Sequence, residues 1–340
     1  MSEISDAGHS PLISVIIVNY QGVEVVEAAI ESLRGQSFRD FELIIVDNAS
    51  NDGSPDLVNF RGLPQGKLIR ETCNHGFAGG VNIAVEHARG RYLALFNPDC
   101  VAKENWLEKL ADAARRFPDT AMFASTQICL NDPDLLDGAG DNYFFLGVPW
   151  RGGHGQPVSR RPEFGECFSP CGAAAMIRKD CFLGQGGFDR EYFCYCEDVD
   201  LAFRLRLSGE RCLYIPDAQV WHKGSAISGK NSKFTVFLGT RNLVWTYFKN
   251  MPLAMLVLTY PVHALALVYL YLRQIGSPRA KYFRQGAFSA YRHFGKAWSQ
   301  RRKIHGGQKG FVLATLAAMT WNPRKLSRRD TVIKAALKER

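Results

Sequence analysis

Arg91-Tyr92-Leu93-Ala94-Leu95-Phe96-Asn97-Pro98-Asp99-Cys100 decides how the rest of the chain is read. Tyr92 to Phe96 is an unbroken apolar run of strand length, the pattern of a strand covered on both faces. Pro98 has no N–H for a ladder and keeps the residue before it extended, so the strand should end at Asn97. Asp99 is then left at the carboxyl end of a central strand, where open α/β sheets keep their ligands. A carboxylate there suits a hard cation such as Mg2+ or Mn2+. A turn aspartate following proline is the plainer alternative, and the neighbouring segments weigh between the two.

Upstream, apolar runs and helical periodicity alternate. Leu12 to Tyr20 predicts a buried first strand, and Val23 to Leu33 a helix closed by Gly35. Phe41 to Val46 predicts a second strand running into the polar loop Asp47 to Ser54. Lys67 to Glu71 predicts a short third strand. Gly76-Phe77-Ala78-Gly79-Gly80 opens a helix that reaches His87, and Trp106 to Phe117 forms another. This alternation predicts an α/β fold, a doubly wound sheet with right-handed crossovers. Glycines at 76, 79 and 80 do not match the dinucleotide fingerprint, which disfavours a Rossmann dehydrogenase. They still allow backbone to approach a phosphate or sugar closely.

Downstream, Ala121 to Leu130 predicts a strand. Asp137 to Pro162, rich in Gly, Pro and Arg, predicts a flexible loop near the acceptor side. Phe168 to Ile177 is small and apolar, and Cys212 to Ile215 predicts a strand ending at Pro216. Between them, Cys196-Glu197-Asp198-Val199-Asp200-Leu201 puts three carboxylates in the first turn of a helix. The macrodipole alone would account for acids there. The aromatic, cysteine-rich stretch before them implies partial burial, which raises a carboxylate pKa toward general-base range. His222, beside Trp221, becomes a metal-ligand candidate only if it faces Asp99. Arg241 can offer a guanidinium to a phosphate.

The 340 residues, 46% hydrophobic, allow one large α/β domain with an appendage. Met1 to Pro11 is polar without a basic n-region, so no secretory leader is expected. Nine cysteines without paired C-x2-C spacing read as free thiols of a reducing compartment rather than a zinc site. The net charge of +9 is uneven: Arg273 to Arg340 carries 17 Lys and Arg against 2 Asp and Glu. Such a tail suits nucleic acid or an anionic membrane leaflet. Met251 to Leu272 contains no Asp, Glu, Lys or Arg and is long enough to cross a bilayer. Pro252, Pro261 and His263 favour a re-entrant or interface-lying hairpin over a simple span. Gly310 to Trp321 is too short to span and reads as interfacial.

Taken together, six motifs resemble the GT-A-fold glycosyltransferases of family 2, in their rhamnosyltransferase-like branch. They are Ser14 to Tyr20, Val46 to Ser54, Asn74 to Asn82, Phe96 to Asp99, Glu197 to Leu201 and Val220 to His222; the likeness extends to about Asn242. The resemblance implies a mixed, mostly parallel sheet with helices on both faces over residues 1–245; the uncharged run and basic tail predict a membrane-associated helical region over 246–340. The resemblance also implies that Asn19 and Tyr20 border a nucleotide base whose edge Asp47 reads. Asn48 and Asn74 would line the nucleotide, with Gly79 and Asn82 on the phosphate-sugar side. It gives Asp99 the divalent cation on the diphosphate, completed by His222. Asn97 stands where the family often has the first acid of Asp-x-Asp. Asp198, with Glu197 beside it, matches the general base. The implied reaction is inverting transfer of a sugar, L-rhamnose from its deoxythymidine diphosphate, to a polyprenyl-linked glycan at the cytoplasmic face of a bacterial membrane.

Three other functions compete. A nucleotidyltransferase would want a basic glycine-rich loop after the first strand, which Asn19-Tyr20-Gln21-Gly22 is not. A non-catalytic membrane scaffold has no use for Asp99, Asp198 and His222. A nucleic-acid binder rests only on the tail, whose apolar runs favour membrane.

Overall fold

The computed structural model describes residues 10–224, 232–306 and 310–335. Most of the stretch in which no leader is expected lies outside that description. The strands are β1 (Ile13–Asn19), β2 (Phe41–Asp47), β3 (Gly66–Arg70), β4 (Tyr92–Phe96), β5 (Cys100–Ala102), β6 (Met122–Cys129), β7 (Leu136–Ala139), β8 (Asp141–Phe144), β9 (Val148–Arg151), β10 (Gly165–Cys167), β11 (Ala174–Arg178) and β12 (Cys212–His222). The helices are α1 (Val26–Arg34), α2 (Gly76–His87), α3 (Trp106–Arg116), α4 (Lys179–Gly184), α5 (Glu197–Leu207), α6 (Lys233–Asn250), α7 (Leu253–Leu272), α8 (Pro278–Arg292), α9 (Phe294–Gly306), α10 (Val312–Ala318) and α11 (Pro323–Arg328).

β1 and β2, rich in Ile and Val, are buried along their whole length, as strands sandwiched between helices must be. Helix α1 lays Val26, Ala29, Ile30 and Leu33 on one side, and α3 lays Leu107, Leu110, Ala111 and Ala114. The main sheet runs β10-β12-β6-β11-β4-β1-β2-β3, with β5 on β12 and β7 on β6. β3, β2, β1 and β4 are mutually parallel, β11 runs against both its neighbours, and β12 runs with β6. The sheet is therefore mixed and mostly parallel, and Asn19, Asp47, Phe96 and His222 end strands at the same edge.

Three expectations change. Pro216 does not end its strand: β12 continues to His222 through a register shift between Ile215 and Gln219, and a bulge is where a strand tolerates proline. Residues 137–151 are not an open loop, because β7 and β8, fully buried, and β9 form there; the remainder to Pro162 carries no strand. Tyr143 stacks on Phe168, and the Trp150 indole donates to the Asp330 carbonyl at 3.0 Å. Met251 to Leu272 forms no hairpin. It is the single helix α7, continuous through Pro261.

The C-terminal helices share a core with the sheet domain. Tyr143, Tyr192, Val199 and Phe203 pack in one cluster with Trp245, Tyr247, Phe248, Phe283 and Met319. The expected boundary at 245/246 falls inside α6. Leu256, Thr259, His263 and Leu267 form the buried face of α7. His263 stacks on Tyr247 at 3.9 Å, and its Nδ1 lies 2.7 Å from the Leu146 carbonyl oxygen.

Candidate active site

The turn after β4 sets the geometry. The Asn97 N–H donates to the Ala173 carbonyl, and the Cys100 N–H closes the turn onto the Asn97 carbonyl. β5 then pairs with the end of β12 in a register that puts Cys100 opposite His222. As a result Asp99 Oδ1 lies 3.3 Å from His222 Nε2. On the far side of the ring, His222 Nδ1 lies 2.7 Å from Asp137 Oδ2. Asp137 also forms an ion pair with Arg151, and His154 Nδ1 lies 3.0 Å from its backbone oxygen. Burial works against a charged Asp137, but Arg151, His154 and His222 hold its carboxyl well below the usual range. Gly138 makes room for this: a Cβ there would come within 2.5 Å of the Arg151 side chain.

These groups face a cleft of about 510 Å3 at the carboxyl edge of the sheet, a volume typical of ligand sites. Of the residues expected on sequence grounds, Tyr20, Asn48, Asn74, Asp99 and His222 line it. Asn48 Nδ2 donates to the Gly76 carbonyl at 2.9 Å, and Asn74 Oδ1 accepts from the Gly76 N–H at 2.8 Å. Together they clamp a residue at φ +69° whose added Cβ would lie 2.3 Å from the Phe193 carbonyl oxygen. Gly76 is thus the glycine that backs the cleft.

Other expected residues are placed elsewhere. Asn19 and Asp47 are buried beneath the cleft and bonded to each other at 2.9 Å. They hold the loop of Ser50 and Ser54 and turn no edge outward. Asn82 gives and takes hydrogen bonds with the Phe188 backbone, and Gly79 packs on His75. Arg241 donates to the Glu191 and Tyr192 carbonyls and lines a separate cavity. Asp137, Arg151 and His154 were missed because their segment reads as loop. A cluster of ionisable residues among glycines was the available signal.

The three carboxylates of α5 separate into distinct surroundings. Asp200 is fully buried and bonded to Lys249, Arg204 and Asn250. Burial pushes its pKa up, but Lys249 and Arg204 prevail and hold it at about 2. The stability it adds is complete above the ordinary aspartate range and is lost as pH falls toward about 2. Glu197 is buried, with Oε2 lacking a hydrogen-bond partner. Burial, then the neighbouring Asp198 charge, raises its pKa well above normal. Asp198 is half-buried; its oxygens accept from the Gly172 and Val199 N–H groups, each at 2.8 Å. Burial raises its pKa despite those bonds. A Cβ on Gly172 would touch both Asp198 and Phe77, so Asp198 lies just across Gly172 from the cleft wall. Asp141 and Cys171 complete a cluster with Asp198, and burial followed by the Asp198 charge pushes Asp141 up to about 8.

The segment leading into α5 is strained. Phe193, Tyr195 and Cys196 have φ of 63°, 74° and 66°, each costing roughly 1–3 kcal/mol. Asn242 offsets this by donating to the Tyr192, Cys194 and Tyr195 carbonyls at 2.9, 2.8 and 2.8 Å. The amide has two hydrogens for these three carbonyls, so Asn242→Ala is expected to remove about 2 kcal/mol of stability at roughly 1 kcal/mol per bond. Urea denaturation checks this, and it should also lower turnover by releasing the cleft wall.

The family model for Glycosyl transferase family 2 matches residues 14–183, half of the chain, and the chain belongs to that family. It is 26% identical over 247 residues to N-acetylglucosaminyl-diphospho-decaprenol L-rhamnosyltransferase of Mycobacterium tuberculosis, covering 65% of this chain and 78% of that protein. It is 23% identical over 240 residues to rhamnosyltransferase WbbL of Escherichia coli K12, covering 62% and 83%. The mannosyltransferase PcManGT of Pyrobaculum calidifontis, solved with GDP-Man and Mn2+, has the same fold. Its TM-score is 0.51 over 92% of this chain and 88% of that one, at 20% identity. The protein is a glycosyltransferase of the GT-A fold.

Proposed function

We propose that this enzyme transfers L-rhamnose, with inversion, from deoxythymidine-diphospho-rhamnose to a hydroxyl of a polyprenyl-diphosphate-linked glycan. The observation that carries the reading is the Asp99–His222 pair at the cleft, with the half-buried Asp198 across Gly172. The donor set fits a divalent cation: one carboxylate oxygen, and one imidazole nitrogen whose ring Asp137 orients. The Cys100 S–H turns away to the Ala173 carbonyl. A nitrogen ligand among oxygens suits Mn2+ better than Mg2+. Bound there, the cation would neutralise the leaving diphosphate. Asn48, Asn74 and Tyr20 would hold the nucleotide, Arg151 would face the anionic donor, and Asp198 would take the acceptor proton as its oxygen attacks the anomeric carbon. The rhamnosyl donor is supported by the names of both relatives, and the lipid-linked acceptor by that of the mycobacterial one. Donor hydrolysis across a panel of nucleotide sugars, with and without Mn2+, tests it. Metal-dependent turnover strongest with the rhamnosyl donor is expected; a preference for another sugar would overturn the donor assignment.

The same reading places the enzyme on the cytoplasmic face of a bacterial membrane, with α7 lying in the plane of the interface. A spanning helix has lipid around its middle, whereas the middle of α7 is held to the sheet domain through His263. Its outer face exposes Val257, Leu258, Leu265, Val268 and Tyr269, and the basic residues that follow suit anionic headgroups. Deleting the region would strip cover from Tyr247 and Phe248, so point changes test the idea more cleanly. Leu258→Glu with Leu265→Glu should move the protein from the vesicle pellet to the supernatant in co-sedimentation with anionic vesicles, without lowering its melting temperature. Unchanged pelleting would refute the in-plane attachment.

A further inference from the structure

A second cavity, of about 850 Å3, opens beside the cleft. Phe193 and Phe234 line both spaces and form the partition between them. Phe237 and Leu238, from the first turns of α6, give the second cavity an apolar floor. Its rim carries Lys233 and Arg241, with Arg190 paired to Glu86 at 3.5 Å, and among the described lining residues one acid, Glu191. Lys296 already neutralises Glu191, with Nζ at 3.0 Å from both carboxylate oxygens. Arg241 is fixed in place by the Glu191 and Tyr192 carbonyls and stacks 4.6 Å over Trp245. The result is an apolar chamber with a basic entrance, divided from the site of transfer by those two rings.

We infer that this cavity binds the isoprenoid diphosphate portion of the acceptor, its first prenyl units on Phe237 and Leu238 and its diphosphate against Lys233 and Arg241. The inference rests on the lipid-linked acceptor of the proposed function and adds where that lipid sits. Charge complementarity supports the choice, since a neutral apolar ligand would leave the basic rim unanswered. Position supports it too: only the Phe193–Phe234 partition stands between a diphosphate at this rim and the cleft. Arg241 is thereby a phosphate ligand on the acceptor side and not on the donor side.

The test is calorimetric titration of farnesyl diphosphate into the full-length enzyme with deoxythymidine diphosphate and Mn2+ filling the cleft. Farnesol and inorganic diphosphate are titrated as the separate halves of the ligand. Farnesyl diphosphate should bind more tightly than either half. Lys233→Glu should weaken it by about tenfold while leaving farnesol binding little changed. Phe237→Glu should weaken both prenyl ligands. Lys233 is exposed, so the first variant should fold even if the second does not. Equal binding of farnesyl diphosphate by wild type and Lys233→Glu overturns the assignment, as does wild-type binding no tighter than that of inorganic diphosphate. If no polyprenyl-linked acceptor is glycosylated but Lys233→Glu still weakens farnesyl diphosphate, the proposed function fails and the cavity assignment stands. If transfer proceeds and both variants bind as wild type does, the reverse holds.

Discussion

Asp99→Ala is expected to abolish cation-dependent donor binding and to bring transfer to background. Asp99 is the one carboxylate that the β4 turn delivers to His222, and Asn97, two residues earlier, has no charge with which to replace it. Removing an outer partner of a metal ligand costs about 10- to 100-fold in affinity, and removing the ligand itself should cost more. Asp137→Asn supplies the graded comparison. It keeps the shape but weakens the hold on His222 Nδ1 and on Arg151, so cation affinity should fall within that range while some turnover survives. Calorimetry of donor with Mn2+ separates the two variants. Undiminished cation-dependent binding in Asp99→Ala would remove Asp99 from the site.

Asp198→Asn is expected to lower turnover by about 10² to 10⁴, the contribution of general-base catalysis, with little change in donor affinity. Its two oxygens each accept a backbone N–H, and an amide satisfies only one of them, so a stability loss of about 1 kcal/mol should accompany the change. Thermal melting accounts for that part. Glu197→Gln should leave most of the rate intact. Asp200→Asn should act through the fold: it removes the only acid paired with the buried Arg204 among the described residues and leaves Lys249 with Asp189 alone, and breaking such a network costs about 3–5 kcal/mol. The pH profile adds a second readout. Burial raises the Asp198 pKa, and the base works only when ionised. Turnover should therefore fall with decreasing pH at a midpoint above that of an exposed aspartate, and Asp198→Asn should lose that limb. A wild-type rate in Asp198→Asn would end the assignment.

Much of this arrangement is legible in the sequence, and the remainder fails for identifiable reasons. The apolar run before Asn97-Pro98-Asp99 places the aspartate at a strand end, and its meeting with His222 was expected on resemblance. Neither observation shows how the two meet. That depends on β12 running past Pro216 through a bulge, and periodicity stops at a proline. Asp137, Arg151 and His154 escape for a similar cause: glycines that signal a loop instead let short strands pack close around an ion pair. Asn19 and Asp47 stand in the right motifs, yet burial turns them into braces for the loop above. α7 shows another case. Its uncharged length suggests a span or a hairpin; it forms one continuous helix, and its buried His263 packs on Tyr247 and the Leu146 carbonyl.

The most direct measurement is transfer of labelled rhamnose from its deoxythymidine diphosphate to N-acetylglucosaminyl-diphospho-polyprenol by the purified enzyme, with Mn2+ and with chelator. Labelled product that partitions into organic solvent, formed with the cation and absent with chelator, is the predicted result. Equal product in chelator, or no solvent-soluble product at all, would contradict the account.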